Sequence, residues 1–159
     1  MYCGKSYMKG GDILSVADRI HRAEQSWTYS TGTGLYWNNI ELSLNNDNKV
    51  TCCATYVSCV IYAAGYATEA QMNSFNYNYV PSFYTYFKEK GWEEVTSYDQ
   101  LEPGDIVFTG NFSHVQIYAG NNTWYNAGAT EYIQKDAPQD QGGWARSNFT
   151  TALRPSPLN

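Results

Sequence analysis

Four cysteines (3, 52, 53 and 59) and two histidines (21 and 114) are the side chains here whose type and spacing could do chemistry. Zinc sites place thiolates two to four residues apart, usually twice over or backed by paired histidines. The sequence has no C-x-x-C, and its two histidines are far apart, so no metal site is expected. Cys52 and Cys53 are neighbours, too close for ordinary disulfide geometry. The cysteines therefore read as free thiols, and the chemistry open to them is nucleophilic. Cys53 falls in the first turn of a small-residue helix. There unpaired backbone N–H groups favour a thiolate and can draw a thiol below its free pKa of ~8.5.

A thiol nucleophile needs a base, and an imidazole base needs a polar group on its other nitrogen. His114 opens a strand after Gly110-Asn111-Phe112-Ser113, close to a sheet edge, whereas His21 belongs to the outer stretch of a surface helix. Loop parity decides which residue of the next strand can reach His114, because cross-strand partners share a face. A three-residue turn Gly120-Asn121-Asn122 pairs Gln116 with Asn126 and makes Asn126 a diagonal neighbour of His114. A turn of even length puts Tyr125 and Ala127 on that face instead, and Asp105 or Glu131 would then be the next candidates.

The elements that must position these groups follow from pattern. Asp12 is an N-cap for a helix to about Gln25, with Ile13, Val16, Ala17 and Ile20 at helical spacing. The stretch 27–49 is turn-rich and reads as one long irregular segment, a kind that is more often functional than decorative. A second helix over about 53–64, closed by Gly65, carries Ala54, Ser58, Cys59, Ala63 and Ala64 among Val57, Val60 and Ile61. With almost no charge on any side, it should be buried. A third helix, about 81–90, starts at Pro81 and stops before Gly91. After Trp92 the period changes: Pro103-Gly104 makes a type II turn into a strand over 105–109, 113–128 reads as a hairpin, and weaker strand signals lie at 131–134 and 150–154. Helices first and strands later means α+β with an antiparallel sheet.

At 159 residues the chain is one domain's length (1–159, with a tail of about ten residues) and long enough for a self-sufficient core. Ten Lys and Arg against fifteen Asp and Glu give a net charge of −5, which excludes a basic nucleic-acid surface. No apolar run reaches the ~18 residues of a membrane span, so no membrane insertion is expected. The first residues hold no apolar stretch of export-signal type. Charged residues are 16% and tyrosines number 15, a surface suited to neutral polar ligands such as sugars or peptides.

On these residues the chain resembles the NlpC-type cell-wall cysteine peptidases, relatives of the CHAP amidases. The family's nucleophile motif, roughly Asp-Cys-Ser-Gly/Ser-Phe-Val, is similar to Cys52-Cys53-Ala54-Thr55-Tyr56-Val57. Its Pro-Gly-Asp turn matches Pro103-Gly104-Asp105, leading into Ile106-Val107-Phe108. Its His-Val-Gly-Ile-Tyr-x-Gly strand matches His114-Val115-Gln116-Ile117-Tyr118-Ala119-Gly120, and its third polar residue falls on Asn126 in Tyr125-Asn126-Ala127-Gly128. Tyr29-Ser30-Thr31-Gly32 resembles an upstream Tyr-x-x-Gly-Gly stretch. Cys52 stands where the family has Asp, which leaves open which thiol reacts. The resemblance implies Cys53, because the family's nucleophile stands three residues before an aromatic residue and four before a valine, as Cys53 does before Tyr56 and Val57. Gln116 stands where the family has a small residue.

The resemblance implies a papain-like fold, with the nucleophile at a buried helix start packed on the sheet. It implies hydrolysis of an amide in peptidoglycan stem peptides through a thioester. Cys53 would attack, His114 would act as base and then acid, Asn126 would hold the imidazole, and Tyr29 would help the Cys53 N–H at the oxyanion. No metal or cofactor is required. The expected partner is peptidoglycan, met by a monomer outside the cell at the wall, as a domain of a secreted protein or as a phage-type lysin. An N-acetylmuramoyl-L-alanine amidase, a transglutaminase-like acyltransferase or a non-catalytic wall-binding domain would carry the same motifs.

Overall fold

A computed structural model of the chain describes residues 12–23, 36–37, 40–41, 52–126, 139–140 and 142–158. Its helices are α1 (Ile13–Ala23), α2 (Cys52–Ala63), α3 (Glu69–Met72), α4 (Val80–Glu89) and α5 (Gly142–Ser147). Its strands are β1 (Tyr36–Trp37), β2 (Ile40–Glu41), β3 (Glu93–Val95), β4 (Ile106–Thr109), β5 (His114–Gly120), β6 (Thr123–Tyr125), β7 (Gln139–Asp140) and β8 (Phe149–Arg154). Six of the strands form an antiparallel sheet in the order β3-β8-β4-β5-β6-β7, and β1 and β2 make a separate pair. That pair lies inside the stretch expected to be irregular throughout.

The helix ends form where the sequence chemistry places them. Asp12 Oδ1 accepts from the Leu14 N–H at 2.9 Å and starts α1. After α2, Gly65 takes φ +82°, and the Gly65 and Tyr66 N–H groups return to the Tyr62 and Ile61 carbonyls. Those two bonds are the Schellman arrangement, which needs a residue tolerant of the left-handed region. The short helix α3, absent from the sequence reading, is held by a capping box between Thr68 and Gln71.

α2 is buried on every side: Ala54, Tyr56, Val57, Val60, Ile61 and Ala63 are all within the core. The small residues let α1 lie close, where Tyr56 Oη donates to the Ala17 carbonyl and Tyr125 Oη to Asp18. The opposite face of α2 packs on Ile106, Phe108, Val115, Ile117 and Leu153 of the sheet. A second, smaller core of Val95, Val107, Trp124, Ala145 and Ala152 fills the other face beneath α5. β4 is thus covered on both sides, which is why Ile106-Val107-Phe108-Thr109 reads as an unbroken buried run.

The Pro103-Gly104 turn is the expected type II: Gly104 has φ +98° and the Asp105 N–H returns to the Glu102 carbonyl at 3.0 Å. Asp105 is buried and serves this frame. It accepts from Arg154 Nε and Nη2, both at 2.9 Å, and from the Glu102 N–H at 2.8 Å.

Candidate active site

The β5–β6 connection differs from the expected three-residue loop. Gly120 pairs with Thr123, so the turn itself is Asn121-Asn122. Both have positive φ, 52° and 58°, the requirement of a type I′ hairpin that asparagine meets at low cost. Yet Tyr118 pairs with Trp124 and Ile117 with Tyr125, leaving Ala119 as an extra residue in β5. The bulge restores the parity that the even turn would have reversed. Continued one step, the register sets Asn126 opposite Gln116, the pairing expected from the odd loop.

His114 begins β5 opposite Thr109 of β4. The loop delivering it, Gly110-Asn111-Phe112, runs through three left-handed residues with φ of 60°, 56° and 67°. Such a run is costly for Phe112 and is held by its surroundings. The Gly110 N–H donates to the Asn148 carbonyl and the Asn111 N–H to Thr150 Oγ1, while Phe112 packs on Tyr84 and Phe108.

Cys53, a free thiol, lies in the first turn of α2 and is 2% exposed. Burial pushes it above the ordinary thiol value, opposed by the N–H groups of Val115, Ala54 and Cys53 itself. The helix-start donors are present as expected, but desolvation outweighs them, so the resting group is a thiol and not the thiolate that helix position alone suggested. The Val115 contact sets the sulfur against β5 at the residue following His114. Cys52 also falls inside α2.

The imidazole of His114 is held below its ordinary pKa by burial, with a hydrogen bond to Gln116 pulling the other way. That bond joins Nε2 to Gln116 Oε1 at 3.0 Å. An amide oxygen only accepts, so this bond requires the tautomer with hydrogen on Nε2, which leaves Nδ1 as the free base. The expected bond from Asn126 is not the one the imidazole makes. Asn126 is buried and is aligned with Gln116, one strand over. The ring of Trp144 on α5 stands edge-on to His114 at 6.1 Å and is half exposed. Sequence reading missed α5 and Trp144, and had noted Gln116 only as a departure beside the histidine. Tyr29, and the turn-rich stretch 27–49 apart from residues 36–37 and 40–41, lie outside the described residues. Among the described residues no cluster of His, Cys, Asp and Glu has the makings of a metal site.

A cysteine at a buried helix start, set against an antiparallel sheet at the strand a histidine opens, is the layout of the papain-like class. Within it, this chain belongs to the NlpC/P60 family, whose family model matches residues 35–153. Membership makes it a hydrolase in the general sense, of the peptidase or amidase kind that acts on cell-wall peptidoglycan. Among solved structures it is similar to the peptidoglycan hydrolase RipB from Mycobacterium tuberculosis. The two are 15% identical with a TM-score of 0.45, over 97% of this chain and 71% of that one. No curated protein matches the chain.

Proposed function

We propose that the chain is a cysteine peptidase that cuts an amide in the stem peptides of peptidoglycan. The observation that carries this reading is the seat of Cys53: its sulfur meets the Val115 N–H, next in sequence to a neutral His114. As the Cys53 sulfur attacks the amide carbonyl, its proton passes to His114 Nδ1, so the nucleophile is formed in the step and need not pre-exist. The tetrahedral oxyanion takes hydrogen bonds from the Cys53 N–H at the helix start and, by family resemblance, from Tyr29. His114 then returns the proton to the leaving amine as the C–N bond breaks, leaving a thioester. Water, deprotonated by the same imidazole, attacks that thioester and frees the carboxylate and the thiol. Asn126 completes the polar set behind Gln116. The chain works as a single domain, as a monomer, at the wall outside the cell.

Purified peptidoglycan provides the test. Turbidity should fall, and mass spectrometry should show new amine and carboxyl ends within stem peptides. Cys53→Ser and His114→Ala should both abolish the loss, and Cys52→Ser should keep it. Ends at the sugar–peptide amide would make the chain an amidase, and capture of an added amine a transferase. Binding to walls with no cleavage would leave a wall-binding domain.

A further inference from the structure

We propose that Gln116 positions the His114 imidazole, by accepting its Nε2–H, and so does the work assigned by resemblance to the third polar residue on the following strand. The inference deepens the reading just given and rests on His114 being the base. Three observations converge on it. The Gln116 Oε1 to His114 Nε2 bond, at 3.0 Å, is short enough to fix ring orientation and tautomer together. Gln116 is fully buried on β5, on the same sheet face as Val107, Trp124 and Ala152, where an apolar side chain would pack at less cost. Its Nε2 finds no hydrogen-bond partner among the described residues. A buried amide with half its polar capacity unmet is a poor core residue. Among the described residues its one polar anchor is the imidazole, and sites that depart from packing logic in this way are characteristically functional.

Position explains why Gln116 rather than Asn126 makes this bond. Residues two apart on a strand point to the same face, and a glutamine is long enough to reach back to its neighbour. The family's small residue at this place could not. No charged group acts on the imidazole among the described residues: its ionisation is set by burial and by the Gln116 bond. It is faced by Thr109 from β4 and Trp144 from α5, neither of which titrates. On α2 the titratable group beside β5 is the Cys53 thiol, itself neutral.

The experiment is long-range 1H–15N NMR of the His114 ring in the full chain, with kcat and KM on peptidoglycan across pH. The unsubstituted protein should show hydrogen on Nε2, and hydrogen on Nδ1 would overturn the proposal outright. Gln116→Leu should lose the tautomer preference and lower kcat by about tenfold or more with little change in KM, as expected when a base is held in the wrong form. Gln116→Glu keeps an acceptor and adds charge. It should keep the Nε2–H tautomer, retain more activity than the Leu variant, and raise the His114 pKa by about one unit or more. A Leu variant with the tautomer and kcat intact, or loss of the tautomer on Asn126→Ala instead, refutes the role of Gln116. These ring measurements need no activity. Wall cleavage that survives Cys53→Ser would instead refute the peptidase reading and leave the tautomer result standing.

Discussion

Desolvation keeps both groups neutral at rest, the buried Cys53 thiol and the part-buried His114 imidazole, and the pH dependence follows from that. A base must be unprotonated to act, and burial holds the imidazole below the ordinary value of ~6.5. Activity (kcat/KM) should therefore hold at full level down through neutral pH and fall only below that value. Trp144→Ala removes the ring standing against His114, readmits water and moves the imidazole back up. The falling limb should shift to higher pH, read as a larger fractional loss at mildly acidic pH, while Tm changes little because Trp144 is half exposed. Labelling of Cys53 by iodoacetamide should be slow at neutral pH and keep rising past the ordinary thiol value of ~8.5, since burial wins over its N–H donors. Rapid labelling near neutrality would show that a thiolate already exists in the free protein.

The segment between β4 and β5 ties local strain to the site. Gly110 has φ +60°, and a Cβ placed on it would clash with Ser113 Oγ. Gly110→Ala should cost about 1–2 kcal/mol in denaturant unfolding, from the left-handed conformation alone. It should also lower kcat/KM, because the loop delivers His114. Arg154→Ala tests the frame on the far side of the same strands. It leaves the buried Asp105 carboxylate without its cation, at a cost of about 3 kcal/mol. Asp105 is spent on this turn and ion pair, which is why it does not serve as an alternative partner for the histidine. Catalysis per folded molecule should survive Arg154→Ala, separating frame from site.

Across the whole molecule, the last strand holds the sheet together. β8 pairs with β3 on one side and β4 on the other, and the segment after it returns to the core. Trp92 Nε1 donates to the Ser156 carbonyl at 2.7 Å, and the Leu158 N–H to the Tyr66 carbonyl at 2.8 Å. A chain ending at residue 148 should show no cooperative thermal transition, having lost a central strand. One ending at residue 154 should fold with a lowered Tm.

Local chemistry made much of this readable in advance. A charge-free small-residue helix, Gly65 at its end, the Pro103-Gly104 turn and the alternation of β5 are consequences of short-range sterics and of burial pattern. They placed Cys53 at a helix start and His114 at a strand start. The β5–β6 register was reached by a loop of the wrong length, because a bulge at Ala119 is a sheet-level adjustment with no local signature beyond its glycine. α5 escaped because six residues carry too little periodicity to stand out. The sequence by itself thus determined the element types, their ends and the family to which its motifs belong. Tertiary structure alone decided the insertion of β8 between β3 and β4, the Cys53 protonation state and the partner of His114. Each of those depends on which distant side chains come together and exclude water, and no spacing along the chain encodes that.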